Sequence, residues 1–274
     1  MRNLIAIGAL ALLGACASNQ HQKLLVDQGS GLFKGESLWR VSGSEQQEGE
    51  WLRGCYQGEL KAFTEKARHE YAQGAKTARY WVWVGNCLAW HSELREARFF
   101  LGLAENLSKS KEEQAMVKNN LGVLYLREGR ISRAYDMFTD ASKLAPQFVT
   151  PAFNRAQIYV AQNLNLEALK ILQQGAFEKS QDPEVLHLKG LAHLQSGNSK
   201  AASPYLVLIP KHFYSREDFA LTLAQWHLWE GRPHEAQEVL EKLQSTGLTS
   251  TAKINERLKR EAQQQIAALE AKNK

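Results

Sequence analysis

Small and large apolar residues recur along this chain with a period of 34 residues. The stretch 115–148 shows the pattern most fully, in the order Leu121-Gly122, Tyr125, Gly129, Ala134, Phe138, Ala141 and Pro146. Small residues return in the later periods, as Ala168, Ala202 and Ala236 after Ala134, and as Ala156, Gly190 and Ala224 after Gly122. The turn residue Gly129 is followed in the same way by Asn163, Gly197 and Gly231. A phase that is kept over four repeats predicts a repeated structural unit.

Each repeated position has a physical role in an antiparallel pair of helices. Positions 8 and 20 of the unit, here Gly122 and Ala134, stay small because large side chains would force two crossing helices apart. Gly129, at position 15, is expected to end the first helix in the left-handed conformation. One hairpin cannot bury its apolar faces alone, so the pattern predicts a stack of neighbouring hairpins.

This pattern resembles the tetratricopeptide repeat, which places Leu-Gly, Tyr, Ala, Phe, Ala and Pro at the same intervals. The chain departs from it at Lys118, where the family has a tryptophan. The resemblance implies an all-α fold, a right-handed superhelical stack of helical hairpins with a C-terminal capping helix. We expect five repeats, at 78–111, 115–148, 149–182, 183–216 and 217–250, with three extra residues around Lys111 to Glu113 between the first two.

The segments on either side of the five repeats are predicted to extend the stack. In 45–77, Glu59-Leu60-Lys61 aligns with Glu93-Leu94-Arg95 at the same spacing, which indicates a degenerate hairpin. In 251–274 one side of a charged helix is apolar, and it consists of Ile254, Leu258, Ala262, Ile266 and Leu269. This helix would cap the last hairpin. The alternative is a helix that docks on a partner or on a membrane surface.

The N-terminus has the pattern of a processing signal. An apolar run from Leu4 to Leu13 is too short to span a bilayer and ends in Leu13-Gly14-Ala15-Cys16. This end resembles a lipobox, which implies that residues 1–15 are removed and that Cys16 carries the lipid. Residues 16–44 would then be a tether, and Ala17 after the cysteine favours the outer membrane, facing the periplasm, in a Gram-negative host. The alternative is ordinary secretion with an incidental cysteine.

Two cysteines remain, Cys55 and Cys87. Beyond the inner membrane the environment is oxidising, so free thiols would be unusual there. Each cysteine lies late in the first helix of one of two adjacent predicted hairpins. We therefore predict a disulfide that links the degenerate hairpin to the first full repeat; two buried, reduced cysteines are the alternative.

Charge and motifs exclude several classes of function. The formal net charge of +5 is mild and is not gathered into a basic block, so it does not indicate nucleic-acid binding. The chain has no phosphate-binding glycine loop, zinc signature or serine nucleophile turn. We therefore expect no catalysis, no cofactor, no metal and no small-molecule substrate. His193 and His227 share the repeat position of Tyr125 and are interpreted as packing residues.

The family resemblance also implies a binding surface. The first helix of each hairpin lines the concave face in that family, with positions 2, 5, 6, 9, 12 and 13 directed into the groove. Here those positions include Trp83, Asn86, Trp90, Asn119, Asn120, Arg127, Phe153, Asn154, Gln157, His187, Leu191, Gln225 and Trp229. Amides can pair with an extended peptide backbone, and aromatic rings supply contact area at low entropic cost. The alternative for any one of them is packing against the neighbouring hairpin.

The layout of lipobox, tether and helical repeats resembles the pilotin-type and tight-adherence pilus assembly lipoproteins. This implies a non-enzymatic scaffold that is lipid-anchored at Cys16, binds protein partners and assists assembly of a pilus or secretion machine in the outer membrane. The alternative is an envelope adaptor that tethers peptidoglycan hydrolases or a protease. An enzyme with a concealed site is a third hypothesis.

Overall fold

The computed structural model describes residues 60–74, 76–243 and 249–272, with side chains from residue 252 onward in the last range. Within these ranges the chain is helical throughout and forms no strand, which confirms the all-α class. The predicted signal, Cys16, the tether, Cys55 and the first helix of the degenerate hairpin lie outside the described residues. The described residues divide into two compact units, 60–155 and 156–272, which we call the N-terminal and C-terminal units.

The helices follow one another with short connections. Their bounds are α1 Leu60–Gln73, α2 Ala78–Trp90, α3 Leu94–Leu107, α4 Lys111–Arg127, α5 Ile131–Leu144, α6 Thr150–Ala161, α7 Asn165–Leu172, α8 Pro183–Gln195, α9 Ser199–Leu206, α10 Glu217–Trp229, α11 Pro233–Lys242 and α12 Thr249–Lys272. Two short 3₁₀ helices, Gly175–Phe177 and Lys211–Ser215, precede α8 and α10. The division between the two units falls within α6.

Each unit is built from helices that pack against their sequence neighbours. In the N-terminal unit α2 pairs with α3 and α4 with α5, while α1 contacts α2 and α4 contacts both helices of the preceding pair. In the C-terminal unit α8 pairs with α9 and α10 with α11, and α8 contacts α10. Such neighbour-to-neighbour packing is the architecture of a helical repeat stack.

The small residues at position 8 allow the two helices of a hairpin to approach closely. A Cβ added to Gly122 would lie 2.5 Å from the Phe138 ring, and one added to Gly190 would lie 2.3 Å from Leu206. Gly85 is similarly crowded, because its added Cβ would lie 2.6 Å from Leu101. The close crossing predicted from the sequence is therefore present in three hairpins.

A left-handed residue ends the first helix of each of the five hairpins whose two helices the structure describes. The φ angles of these residues are 66° for Ser92, 72° for Gly129, 61° for Asn163, 77° for Gly197 and 70° for Gly231. In each case the next residue donates its backbone N–H to the carbonyl five residues earlier, as Arg130 does to Tyr125 at 2.8 Å. This bond and the one from the left-handed residue itself form a Schellman motif. The sequence pattern predicts four of these turns and misses Ser92.

The three extra residues near Lys111 explain why Ser92 falls out of the period. They are helical and lengthen α4 by about one turn at its N-terminus. Ser110 begins this turn as a capping box, since its side chain accepts from the Glu113 N–H at 3.1 Å and Glu113 accepts from the Ser110 N–H at 3.4 Å. The insertion therefore extends a helix and is not a loop between repeats.

Helix α12 covers the last hairpin. Ile254, Leu258 and Ala262 are buried, and α12 packs against both α10 and α11. Ile266 is half-buried and Leu269 is 41% exposed, so the cap ends about two turns before the helix does. Among the described helices none is long and apolar enough to cross a membrane.

Candidate protein-binding face

The first helices of the hairpins carry all the residues predicted to line a groove. In each unit by itself we call this surface the A-helix face; it comprises repeat positions 5, 6, 9 and 13 on the first helices, which are α2, α4 and the start of α6 in the N-terminal unit and the rest of α6, α8 and α10 in the C-terminal unit. Position 1 is the first residue of each predicted repeat. Within the units, α2 contacts α4 and α8 contacts α10, so residues at these positions lie on adjacent helices.

Positions 5 and 6 of the N-terminal unit are buried. The Asn154 amide donates to the Asn119 amide oxygen at 2.9 Å, across from one hairpin to the next. Asn120, Trp83 and Phe153 are also buried. A buried amide that loses its partner costs about 1–3 kcal/mol, so the Asn119–Asn154 bond holds the two hairpins in register.

Positions 9 and 13 of the same unit are more open. Asn86, Trp90 and Arg127 are each half-buried. The Arg127 guanidinium donates to the backbone carbonyl of Ala89 near the end of α2. The same carbonyl accepts from the Ser92 N–H at 3.1 Å, so Arg127 adds a second hydrogen bond at the turn that ends α2.

His187 is the counterpart of Asn119 in the C-terminal unit. Its Nε2 lies 2.9 Å from the Thr222 hydroxyl, and its ring stacks on Phe219 at 4.3 Å. The single hydroxyl hydrogen of Thr222 goes to the Asp218 carbonyl at 2.9 Å, so the hydroxyl oxygen accepts from the His187 Nε2–H. Burial and the Arg216 charge lower the pKa of His187 to about 4, against the opposing effect of Asp218.

A buried ionic cluster lies beside His187 and was missed by the sequence reasoning. Arg216 donates to both carboxylate oxygens of Asp218, at 3.2 and 2.7 Å, and to Glu184 at 3.3 Å. Its guanidinium also lies 4.4 Å from the centre of the Phe219 ring. Although burial acts to raise the pKa of Asp218, the Arg216 charge holds it below the usual value. Arg216 therefore joins α8 to α10.

Position 13 of the C-terminal unit holds a residue that the sequence reasoning also missed. Gln195 is buried, and neither its amide oxygen nor its amide nitrogen has a hydrogen-bond partner among the described residues. Trp229 occupies the same position one repeat later and is 37% exposed. Because Trp90, Arg127 and Trp229 were all assigned to the groove from position 13, the same rule applied to the fourth repeat would have found Gln195.

The residues at position 9 of the C-terminal unit differ in burial and in hydrogen bonding. Leu191 is buried, and the Gln225 amide oxygen accepts from Arg257 of α12 at 3.4 Å. Gln157 is half-buried, and its amide oxygen has no hydrogen-bond partner within the described part of the chain. The first helices of this unit thus carry amide groups with unused hydrogen-bonding capacity and, at position 13 of α10, a partly exposed indole.

Lys189 departs from the repeat pattern at a buried position, and the fold accommodates it. It stands at position 7, where the family has leucine, and it is buried. Its ammonium donates to the backbone carbonyls of Phe177 at 2.7 Å and Glu178 at 3.1 Å. Burial lowers the pKa of Lys189, and Glu178 opposes that effect. Lys189 thus anchors the segment that leads into α8.

The described residues offer no arrangement typical of a metal centre. No group of three or more His, Cys, Asp or Glu side chains that could hold a metal ion occurs among them. The polar clusters of the A-helix face instead join one helix to the next.

The class of protein follows from this fold and from comparison with known families. A sequence model of the tetratricopeptide repeat matches residues 125–192, from the last turn of α4 into α8, including the turns at Gly129 and Asn163. The match supports a tetratricopeptide-repeat protein, in agreement with the paired helices of both units. Repeats of this kind bind protein partners and are generally non-catalytic scaffolds. A search of curated proteins gave no match to the chain.

Proposed function

We propose that this protein is a non-enzymatic scaffold that binds a partner protein through its A-helix face. The observation that carries the proposal is that Gln195, a buried amide without a hydrogen-bond partner among the described residues, and the partly exposed Trp229 occupy the same repeat position on α8 and α10, two first helices that contact each other. A buried amide with no partner is costly unless something pairs with it, and a partly exposed indole is a frequent anchor at protein interfaces. Both features fit an extended peptide, whose backbone offers donors and acceptors at regular intervals.

The structure also decides which residues can test this proposal. Trp83, Phe153 and Asn154 are buried, so replacing them would perturb packing as well as binding. Trp229 is accessible enough to report on binding. Leu166, on the second helix α7 of the C-terminal unit, is 69% exposed and serves as a matched apolar control.

The experiment is site-specific photocrosslinking in intact cells. A photoreactive phenylalanine derivative replaces Trp229 in one strain and Leu166 in another, and adducts are identified by mass spectrometry. We expect a defined protein adduct at position 229 that is absent at position 166. An adduct formed at 166 and not at 229 would move the binding surface to the second helices. A companion Trp229→Ala variant should reduce co-purification of the same partner while the far-ultraviolet circular dichroism stays unchanged.

We further propose that the scaffold is anchored to the outer membrane through Cys16 and assists assembly of a pilus or secretion machine. The sequence Leu13-Gly14-Ala15-Cys16 supports the anchor, and the mixture of amides and aromatic residues on the A-helix face supports a peptide-like partner. Metabolic labelling with a fatty-acid analogue should mark the wild type and not Cys16→Ser. An unlabelled wild type would refute the anchor.

The identity of the crosslinked partner tests the assembly role. Secretin or pilus subunits at position 229 would support it. If peptidoglycan hydrolases or a protease are crosslinked to position 229, the assembly role is wrong and the protein is an envelope adaptor.

A further inference from the structure

Five histidines lie between residues 183 and 242; His212 and His234 are exposed, and the other three are buried or half-buried. His187 and His193 are on α8, and His227 is on α10. The described histidines of the N-terminal unit differ in position, since His69 is exposed on α1 and His91 is half-buried at the end of α2. The buried imidazoles are thus confined to one unit of the described chain.

The surroundings of His187 favour the neutral imidazole over the protonated one. Its Nε2–H donates to Thr222, which is committed in turn to the Asp218 carbonyl. A proton added at Nδ1 would place a buried positive charge against the Phe219 ring and near Arg216. The carboxylate of Asp218 and a hydrogen bond to the Asp218 backbone would oppose this cost, but the carboxylate already receives two hydrogen bonds from Arg216. Burial still has the largest effect, because removing a charge from water is expensive.

The charged groups around His187 act in both directions. From α10 and its first turn, Asp218 favours the protonated form and Arg216 disfavours it. Glu184 lies one turn earlier on α8 and is engaged by Arg216 at 3.3 Å. Lys189, two residues further along α8, adds a second positive charge that donates to the Phe177 and Glu178 carbonyls. Together with burial, these charges leave the His187 imidazole neutral.

His227 is in a similar situation at the far end of α10. It is buried, and its Nδ1 has no hydrogen-bond partner among the residues that the structure describes. Its ring lies 4.7 Å from Trp226. Burial and the Arg232 charge lower its pKa to about 4, while Glu235 and Glu238 act the other way.

The packing of His193 also disfavours its protonated form, to a smaller extent than for His187 and His227. Its ring stacks on Tyr205 of α9 at 5.8 Å and is half-buried. Burial lowers the pKa of His193. His193 and His227 share the repeat position that Tyr125 and Tyr159 occupy in the second and third repeats, so the fold itself accepts a tyrosine there.

We propose that the two hairpins of residues 183–242 form an acid-labile module, which opens when its buried histidines are protonated while the hairpins of the N-terminal unit stay closed. Opening lets water reach the imidazoles and separates α8 from α10 at the His187–Thr222 contact. The Gln195 and Trp229 positions lie in the same module, so acid would also dismantle that part of the A-helix face. The proposal stands on the packing of the histidines and is independent of the partner that the face binds.

The direction and window of the effect follow from the two protonation states. A histidine with a lowered pKa in the closed form stabilises that form fully above the ordinary pKa of 6.5, and the stabilisation is lost as the pH falls from 6.5 towards about 4. At pH 5 the opening equilibrium should rise by about thirtyfold for each of His187 and His227, relative to pH 7.5. Asp218, whose pKa is lowered below 3.8, titrates outside this window.

The test is hydrogen–deuterium exchange of the full chain at pH 7.5, 6 and 5, corrected for the intrinsic pH dependence of amide exchange. We expect peptides from α8 and α10 to lose at least thirtyfold in protection at pH 5, and peptides from α2 and α4 to change by less than threefold. Equal changes in both units would overturn the proposal, and so would unchanged protection in α8 and α10.

Substitutions then assign the effect to the histidines. His187→Gln keeps a side-chain donor for Thr222, and His227→Tyr installs the residue found at that position in other repeats. Each should reduce the acid-induced loss of protection by about thirtyfold, whereas His69→Gln should leave it unchanged. If both variants lose as much exchange protection at pH 5 as the wild type does, the proposal is wrong. If one variant fails to fold, the other variant and the comparison of the two units in the wild type test the proposal.

Discussion

Replacing Ser92 by glycine should stabilise the first hairpin of the N-terminal unit. Ser92 ends α2 with a φ of 66°, a conformation that costs an L-amino acid about 1–2 kcal/mol. Its side chain is exposed, and the turn is held by backbone bonds from Ser92 to Ala89 at 3.1 Å and from Glu93 to Leu88 at 2.9 Å. Glycine removes the strain but adds about 0.5–1 kcal/mol of unfolded-chain entropy. We therefore expect a net gain of about 0.5–1 kcal/mol.

Hydrogen–deuterium exchange of peptides from α2 and α3 measures this gain locally and does not require the whole chain to unfold in one step. Two variants control it. Gly129→Ser makes the reverse change at a φ of 72° and should lose a similar amount in α4 and α5. Gly102→Ala lies inside α3 with open space around it and should gain about 1 kcal/mol from helix propensity. A Ser92→Gly variant that loses protection, or a neutral Gly129→Ser, would refute the reasoning.

Three further predictions follow from the packing. Gly122→Ala should destabilise the second hairpin by about 1–3 kcal/mol, because its Cβ would lie 2.5 Å from the Phe138 ring; thermal unfolding measures the loss, and an unchanged melting temperature contradicts it. Arg216→Met should cost about 3–5 kcal/mol in urea unfolding, since it leaves two carboxylates in a buried cluster without their cation; a smaller loss than for a surface arginine would contradict this. Thiol titration of unfolded, unreduced protein should detect neither Cys55 nor Cys87, and two reactive thiols would exclude the predicted disulfide.

The hairpin architecture was predictable because its constraints repeat. Positions 8 and 15 admit few residues, since one faces a crossing helix and the other needs a positive φ. Gly122 and Gly129 therefore marked the hairpin in the sequence, and the 34-residue spacing extended it to the later repeats. Ser92 stands at position 15 of the predicted first repeat, but it was missed because serine is not a residue that a search for left-handed positions would select.

The polar interior was less predictable, because it depends on which side chains meet across two hairpins. Lys189 stands where the pattern expects leucine, and only the fold shows that the carbonyls of Phe177 and Glu178 lie within its reach. Arg216 precedes α10 like any surface residue in the sequence, yet it is buried between Glu184 and Asp218. Such partners are separated by tens of residues and follow no period.

The two units should differ in their response to acid because equivalent positions carry different side chains. Position 5 of one hairpin bonds position 6 of the next in both units, through Asn154 to Asn119 at 2.9 Å and through His187 to Thr222 at 2.9 Å. Both pairs are buried and span 35 residues, so the repeat geometry is the same and only the chemistry differs. Amides do not titrate in the physiological range, whereas an imidazole does. A repeat stack can therefore carry a pH-sensitive joint at one interface while an equivalent interface remains insensitive, because each hairpin contact depends mainly on its own pair of neighbours.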